Sequence, residues 1–317
     1  MKKVFITGIT GFAGSFLAEH IASQKDYEIF GSFLSDTNLE NTASVKEKVS
    51  LRQIDLRDSQ KLQDLIKEIR PDFVYHLAAL TSPADSFKNP AGFINNNTEA
   101  EVNLLEAIRV AGIFPKVLIA SSAEVYGEVA AGNLPIDEDT PLRPATPYAV
   151  SKIAQDFLGL QYFISYKIPV IRVRPFNHIG PRQAPNFVVS SFSKRIVDIE
   201  RGKESVMRVG NLMAKRDFTD VRDIVRGYLL LLEMGDPGDV YNIGSGKSYK
   251  ISEILDKLLS MSNKDIKIEI DKQLLRPIDV PELVCDNKKI FQKTGWKPEI
   301  PIEKTLADTL DYWRSMV

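Results

Sequence analysis

Apolar residues recur along the first 175 positions in two alternating forms, short runs suited to strands buried on both faces and longer stretches with apolar residues at helical spacing. The first run lies just before a group of glycines and is followed by Phe16, Leu17 and Ile21 at helical spacing. Residues 27–33 predict a second strand and residues 49–56 a third, followed by a helix carrying Leu62, Leu65, Ile66 and Ile69. A fourth strand is expected at 73–79, an amphipathic helix at 95–111 through Val102, Leu105 and Ile108, and a fifth strand at 116–122. A long helix opens within 142–152 and runs on through Phe157, Leu158 and Tyr162, before a further strand at 168–174. This alternation predicts an α/β fold, a doubly wound parallel (Rossmann) sheet with right-handed crossovers, whose ligands bind beyond the carboxyl ends of the strands.

After Pro175 the pattern mixes short strands with helices at 225–233, 252–261 and 302–315, as expected for a smaller mixed α/β lobe that caps the substrate. Segments 221–226 and 239–244 return to the main sheet in this reading. The expected division is therefore 1–175, with roughly 215–245, as a nucleotide-binding domain, and 176–317 as the main part of an interleaved substrate lobe. The sequence contains no repeats or low-complexity tracts.

The glycines supply the first chemistry. Thr7-Gly-Ile-Thr-Gly-Phe-Ala-Gly14 places Gly8, Gly11 and Gly14 between strand and helix, with Phe12 and Ala13 inside the turn. Such a turn lets backbone approach a pyrophosphate closely and aims the helix's unpaired N–H groups at its charge. Asp55, with Leu56 beside it, is expected at a strand's carboxyl end, where the carboxylate either accepts from an adenine amino group or serves in a helix N-cap region. Leu77 leads into Ala78 and Ala79, whose small side chains permit close approach of a cofactor. The second strand ends in Gly31-Ser-Phe-Leu-Ser35, with neither an acid for the adenine ribose nor a base for a 2′-phosphate. The cofactor is therefore NADP or NAD, with NADPH favoured.

The fifth strand ends in two hydroxyls, Ser121 and Ser122, with Glu124 just beyond. Tyr148 and Lys152 are four residues apart and share a helical face. An ammonium near a phenol stabilises the phenolate, so the expectation is a tyrosine pKa lowered from about 10. Together with the Ser122 hydroxyl, the pair makes an acid/base device acting on one substrate oxygen.

Composition adds exclusions. At 317 residues, with 44% hydrophobic and 26% charged residues, the chain has ample material for a core. A net charge of −1 gives no global attraction to nucleic acid or an anionic membrane. Cys285 is the only cysteine, so an internal disulfide is excluded and a reducing cytoplasm fits; no histidine near it in sequence suggests a catalytic thiol. The three histidines, His20, His76 and His178, have no metal-ligand spacing, and no metal is expected. The chain opens directly on its first strand and has no apolar run of bilayer length, from which a cytoplasmic location is expected.

These motifs, with Ser121-Ser-Ala-Glu-Val-Tyr-Gly127, Tyr148-Ala-Val-Ser-Lys152 and Arg172-Val-Arg-Pro-Phe-Asn177, resemble the nucleotide-sugar branch of the extended short-chain dehydrogenases/reductases. The resemblance covers most of the chain, in the family's order. It implies a nicotinamide cofactor, Ser122, Tyr148 and Lys152 as the catalytic set, and hydride exchange at a sugar C4. Phe176-Asn-His-Ile-Gly-Pro181, Asn186-Phe-Val-Val189, the 209–223 run and Leu275-Arg-Pro-Ile-Asp-Val280 resemble its GDP-sugar members, which include GDP-mannose 4,6-dehydratases and GDP-4-keto-6-deoxy-D-mannose reductases. A GDP-sugar substrate would then meet Asn177, Val188, Lys194, Arg216, Arg276 and Asp279, with Asn177 and Arg276 toward the diphosphate and Asp279 toward ribose hydroxyls.

The dehydratases usually carry an acid inside the glycine turn and an arginine-rich segment after the second strand. This chain has Phe12-Ala13 and Ser32-Phe-Leu-Ser-Asp-Thr37 there, and resembles the GDP-D-rhamnose-forming reductase more closely. Glu124 nonetheless stands where a dehydratase needs its C5 base, so dehydratase is the alternative, along with another epimerase or reductase of nucleotide sugars. A nucleotide-sensing module on the same fold would commonly lack the tyrosine or lysine that this chain keeps. The family also implies a homodimer or homotetramer through helices 95–111 and 148–166.

Overall fold

The computed structural model describes residues 1–275 and 280–316. Its main element is a seven-stranded parallel sheet of β1 (Lys2–Thr7), β2 (Tyr27–Phe33), β3 (Val49–Gln53), β4 (Phe73–His76), β5 (Lys116–Ala120), β6 (Val170–Pro175) and, from the second half of the chain, β10 (Val240–Ile243). Their order across the sheet is β10-β6-β5-β4-β1-β2-β3. Between them run α1 (Phe12–Ala22), α2 (Ser59–Ile69), the single turn α3 (Pro83–Ser86), α4 (Pro90–Val110) and α5 (Pro147–Tyr166).

Because strand side chains alternate faces, each central strand feeds two cores. Val4 and Ile6 of β1 join Leu118, Ile171 and Val173 on the face covered by α1 and by α7 (Val221–Met234). Phe5 joins Val74, Val117, Ile119 and Val170 on the face covered by α2, α4 and α5. Double coverage is why the strands read as continuous apolar runs. Segment 221–226 returns to the sheet as the first turns of α7, started by Asp220, whose side chain accepts from the Arg222 N–H.

Several boundaries differ from the sequence reading. β3 ends at Gln53, so Asp55 lies in the following turn, and Asp58 caps α2. β4 ends at His76 and β5 at Ala120, which leaves Leu77 to Ala79 and Ser121–Ser122 as loop at the strands' carboxyl ends. α4 begins at Pro90, earlier than residue 95, because Asn89 caps it through the Gly92 N–H and proline suits the first helical position. α5 likewise starts at Pro147 under a Thr146 cap.

The rest of the chain forms a lobe beside this sheet. β7 (Asn177–Ile179), β9 (Lys215–Asp220), β11 (Ser248–Lys250) and β13 (Glu282–Leu283) make one small sheet, and β8 (Val206–Val209) pairs with β12 (Lys267–Ile270). Helices α6 (Val188–Glu200), α8 (Ile251–Leu259) and α10 (Ile302–Ser315) surround a third core that includes Phe192, Ile254 and Leu306, while α9 (Lys288–Thr294) packs Ile290 into the α7 side of the main sheet.

Candidate active site

β1 ends in a turn that only glycines can make. Gly8 has φ +69°, and a Cβ on Gly14 would overlap the Gly8 carbonyl oxygen and the Ile9 Cα. α1 therefore starts tight against the strand, with Gly11 as a cap that offers no side-chain acceptor, and its first N–H groups are left for a ligand. The Thr7 hydroxyl accepts from the N–H groups of Leu77 and Ala78 at 3.1 Å each, which draws the segment after β4 alongside this turn.

A cleft of about 840 Å³ opens at the carboxyl ends of the strands. Its lining includes the glycine turn from Gly8 to Gly14, Asp55 and Leu56, and Leu77 to Ala79. Ser122, Glu124, Tyr148, Lys152 and Asn177 line the same cleft. The backbone cradle and the unpaired helix N–H groups fit a dinucleotide pyrophosphate. In the same lining, Asp55 is gripped by Arg57 through Nε at 3.0 Å and Nη2 at 2.6 Å, which holds its carboxyl below the usual range.

Two chain segments bring the reactive groups together. Ser122 caps the short turn after β5, its hydroxyl accepting from the Glu124 N–H. Tyr148 and Lys152 project from the first turns of α5. The phenol differs from the sequence expectation, because burial pushes its pKa up, with the Ser122 hydroxyl opposing and the Glu124 carboxylate adding to the rise. Lys152 does not lower it: its Nζ lies 6.0 Å from the ring centroid and donates instead to the Ala120 carbonyl and to Gln155 Oε1, both at 2.8 Å. Burial pushes the ammonium pKa down to about 8, with Glu101 opposing. Tyr148 is thus held protonated at neutral pH, the state a proton donor requires.

The sequence profile described as GDP-mannose 4,6 dehydratase matches residues 5–309. The chain belongs to this family. It is 35% identical to the GDP-6-deoxy-D-mannose reductase of Pseudomonas aeruginosa over 317 residues, covering 100% of this chain and 98% of the relative. A Vibrio cholerae GDP-mannose 4,6-dehydratase is 30% identical over 352 residues, covering 97% of this chain and 92% of that one. Among solved structures, RMD from Pseudomonas aeruginosa complexed with NADPH superposes with a TM-score of 0.87 at 34% identity, each chain covered in full (100%). The UDP-glucose 4-epimerase of Thermus thermophilus in complex with NAD gives 0.90 at 29% identity, with 99% of this chain and 100% of that one covered. The family is one of NAD(P)-dependent, nucleotide-sugar-modifying oxidoreductases on a Rossmann sheet, as the motifs implied.

Not every expected substrate residue reaches the cleft of this family member. Asn177 does. Lys194 is absent from the lining: it sits on α6, and its Nζ is paired with Asp198 one turn on at 2.5 Å. Arg216 is also outside it, buried on β9 with Nη1 donating to the Lys215 and Val280 carbonyls at 2.8 and 2.7 Å. Val188 packs on the cap-lobe core, and its neighbour Phe187 lines the cleft instead. Arg276 and Asp279 lie outside the described residues.

The structure also adds residues that the sequence reading passed over. His178 stacks on Phe12 with centroids 5.7 Å apart and planes at 5°, and burial lowers its pKa so that it is neutral. Arg182, in left-handed backbone at φ +70°, bonds Glu19 at 2.7 Å and lies over the Phe16 ring at the start of α1. Tyr312 and Trp313 of α10 line the cleft from the far end of the chain. Of these, His178 alone lies within a stretch already singled out, the Phe176-Asn-His-Ile-Gly-Pro181 motif. No described helix is long and apolar enough to cross a membrane.

Proposed function

We propose that this chain reduces the C4 ketone of GDP-4-keto-6-deoxy-D-mannose with NADPH, giving the GDP-6-deoxyhexose GDP-D-rhamnose. The observation that carries this reading is the buried Tyr148 beside Ser122 in the cleft that begins at the glycine turn. NADPH, when bound, supplies the hydride to C4. Ser122 orients the ketone oxygen, and Tyr148 donates its phenol proton to that oxygen as the alkoxide forms. Lys152, with two of its N–H donors held by the Ala120 carbonyl and Gln155, has a third to offer the nicotinamide ribose. The glycine turn and the start of α1 hold the pyrophosphate, and Asn177 faces the substrate diphosphate. NADPH is assigned over NADH because the second strand ends without an acid to repel a 2′-phosphate.

Incubation with NADPH and GDP-4-keto-6-deoxymannose should lower absorbance at the nicotinamide band. Incubation with NADP and GDP-mannose should yield no 4-keto sugar, and the reverse pair of results would establish a dehydratase. The position of Glu124 in the cleft favours that second reading and allows a direct test. For the reductase, Glu124→Gln should keep kcat within about tenfold, whereas loss of a catalytic base would cost on the order of 10² to 10⁴.

A second copy of the chain is the proposed partner. Val150, Phe157 and Ile164 recur every seven residues on α5 and are 42%, 48% and 57% exposed, a stripe beside α4 that a two-fold copy would cover. Phe157→Glu should convert the oligomer to monomer by light scattering, and a monomeric unsubstituted protein would contradict the assignment.

A further inference from the structure

Under the cleft lining lies a buried polar cluster that the proposed chemistry has not used. Glu101 of α4 is fully buried, and neither carboxyl oxygen has a hydrogen-bond partner among the described residues. Its Oε2 is 4.0 Å from Nε2 of His76, and the Gln155 side chain faces it. His76 is itself placed by Thr7, whose hydroxyl is 2.9 Å from Nδ1, and Gln155 Nε2 is 3.3 Å from Nε2. Gln155 in turn accepts from Lys152. A continuous line therefore runs from Thr7, at the glycine turn, through His76 and Gln155 to the Lys152 ammonium, with Glu101 against its middle.

An unpartnered buried carboxyl costs stability, because its desolvation is uncompensated. Only the Gln155 side chain stands between it and the Lys152 ammonium of the reactive cluster, and that gives the cost a use. We propose that Glu101 is a positioning residue for Lys152: its carboxyl holds a proton that leaves as the pH rises, and the negative charge formed keeps the neighbouring ammonium charged over a wider pH range. This inference rests on the assignment of Tyr148 and Lys152 given above.

The charged and titratable groups facing the cluster fit this exchange. From α5 come Tyr148, Lys152 and Asp156, the last already neutralised by Arg172 and Arg174 of β6. From β4 comes His76, which burial and Lys152 push down to about 3, so it carries no charge here. Glu124 acts on the phenol, and the phenol in turn on Tyr228, rather than on Lys152. Burial raises the Glu101 pKa well above the usual range, with Lys152 opposing and Asp156 adding to the rise. Lys152 and Glu101 thus act on each other, the carboxyl opposing the fall in the ammonium pKa and the ammonium opposing the rise in the carboxyl's.

The test is the pH profile of kcat/KM in Glu101→Gln, which keeps shape and removes the proton. The expected result is an alkaline limb lowered by about one pH unit, roughly a tenfold loss of kcat/KM beyond it, with NADPH affinity and melting temperature maintained. An unmoved limb in the folded variant overturns the inference and leaves the reductase reading intact. No ketone reduction by the unsubstituted protein at any pH removes the reductase reading instead. Infrared difference spectra of the unsubstituted protein give a readout independent of turnover and of the variant's folding. A buried carboxylic acid C=O band that disappears as the pH rises through the same range supports the inference, and its absence overturns it.

Discussion

Replacing Tyr148 with phenylalanine is expected to leave NADPH binding near normal and to slow ketone reduction on the order of 10² to 10⁴-fold. The substitution removes one oxygen, the proton donor, and keeps the ring that packs at the start of α5. Burial holds the phenol protonated and Ser122 is its neighbour, which places its proton at the ketone oxygen in the proposed reaction. His178 lines the same cleft, but it is neutral and stacked on Phe12. The measurement is single-turnover reduction followed at the nicotinamide band, with cofactor affinity measured separately. Turnover within about tenfold of the unsubstituted protein would contradict the assigned role.

The second large effect concerns the scaffold that carries α5. Asp156, one turn beyond Lys152, is fully buried and accepts from Arg172 Nη1 and Arg174 Nε at 2.7 Å each. Arg174 also bonds the Tyr126 hydroxyl at 2.9 Å, and Arg172 the Gly238 carbonyl at 3.0 Å. Asp156→Ala would leave two buried guanidinium groups without a counter-charge, at a cost of about 3–5 kcal/mol. Unfolding in urea should show a matching fall in the midpoint, and a change under about 1 kcal/mol would mean that the arginines find water or other acceptors. The effect differs in kind from that of Tyr148→Phe, since stability falls first and activity follows it.

The sequence was most informative where local spacing and burial act together. Continuous apolar runs in β1, β4 and β5 announce strands covered on both sides, whereas nothing in the spacing of Arg172 and Arg174 told that both would meet Asp156. The glycine turn was legible because strand and helix periodicity change across it. Spacing alone also put Tyr148 and Lys152 on one helical face. It could not reveal that the Ala120 carbonyl and Gln155 would claim the ammonium, so the expected lowering of the phenol pKa became a rise set by burial.

Long-range placement explains most of the other differences. Lys194 reads equally well as a phosphate ligand or as a solvated surface charge, and the structure shows it paired with Asp198 four residues on, outside the cleft lining. Arg216 looks like a free cation until β9 is seen to be buried against the Val280 backbone. Tyr312 and Trp313 reach the cleft only because α10 packs on α6, a contact without a local signature. Glu101 reads as one more charged residue on a helix, and its burial becomes visible only once α4, α5 and β4 are brought together.

The most direct test of the account is the fate of the cofactor's hydrogen. With NADPH deuterated at the transferred position of the nicotinamide and GDP-4-keto-6-deoxy-D-mannose as substrate, the account requires deuterium at C4 of the GDP-6-deoxyhexose, one for each NADPH oxidised. A product without label at C4, or conversion of GDP-mannose to its 4-keto-6-deoxy form with no net NADPH consumed, would contradict it.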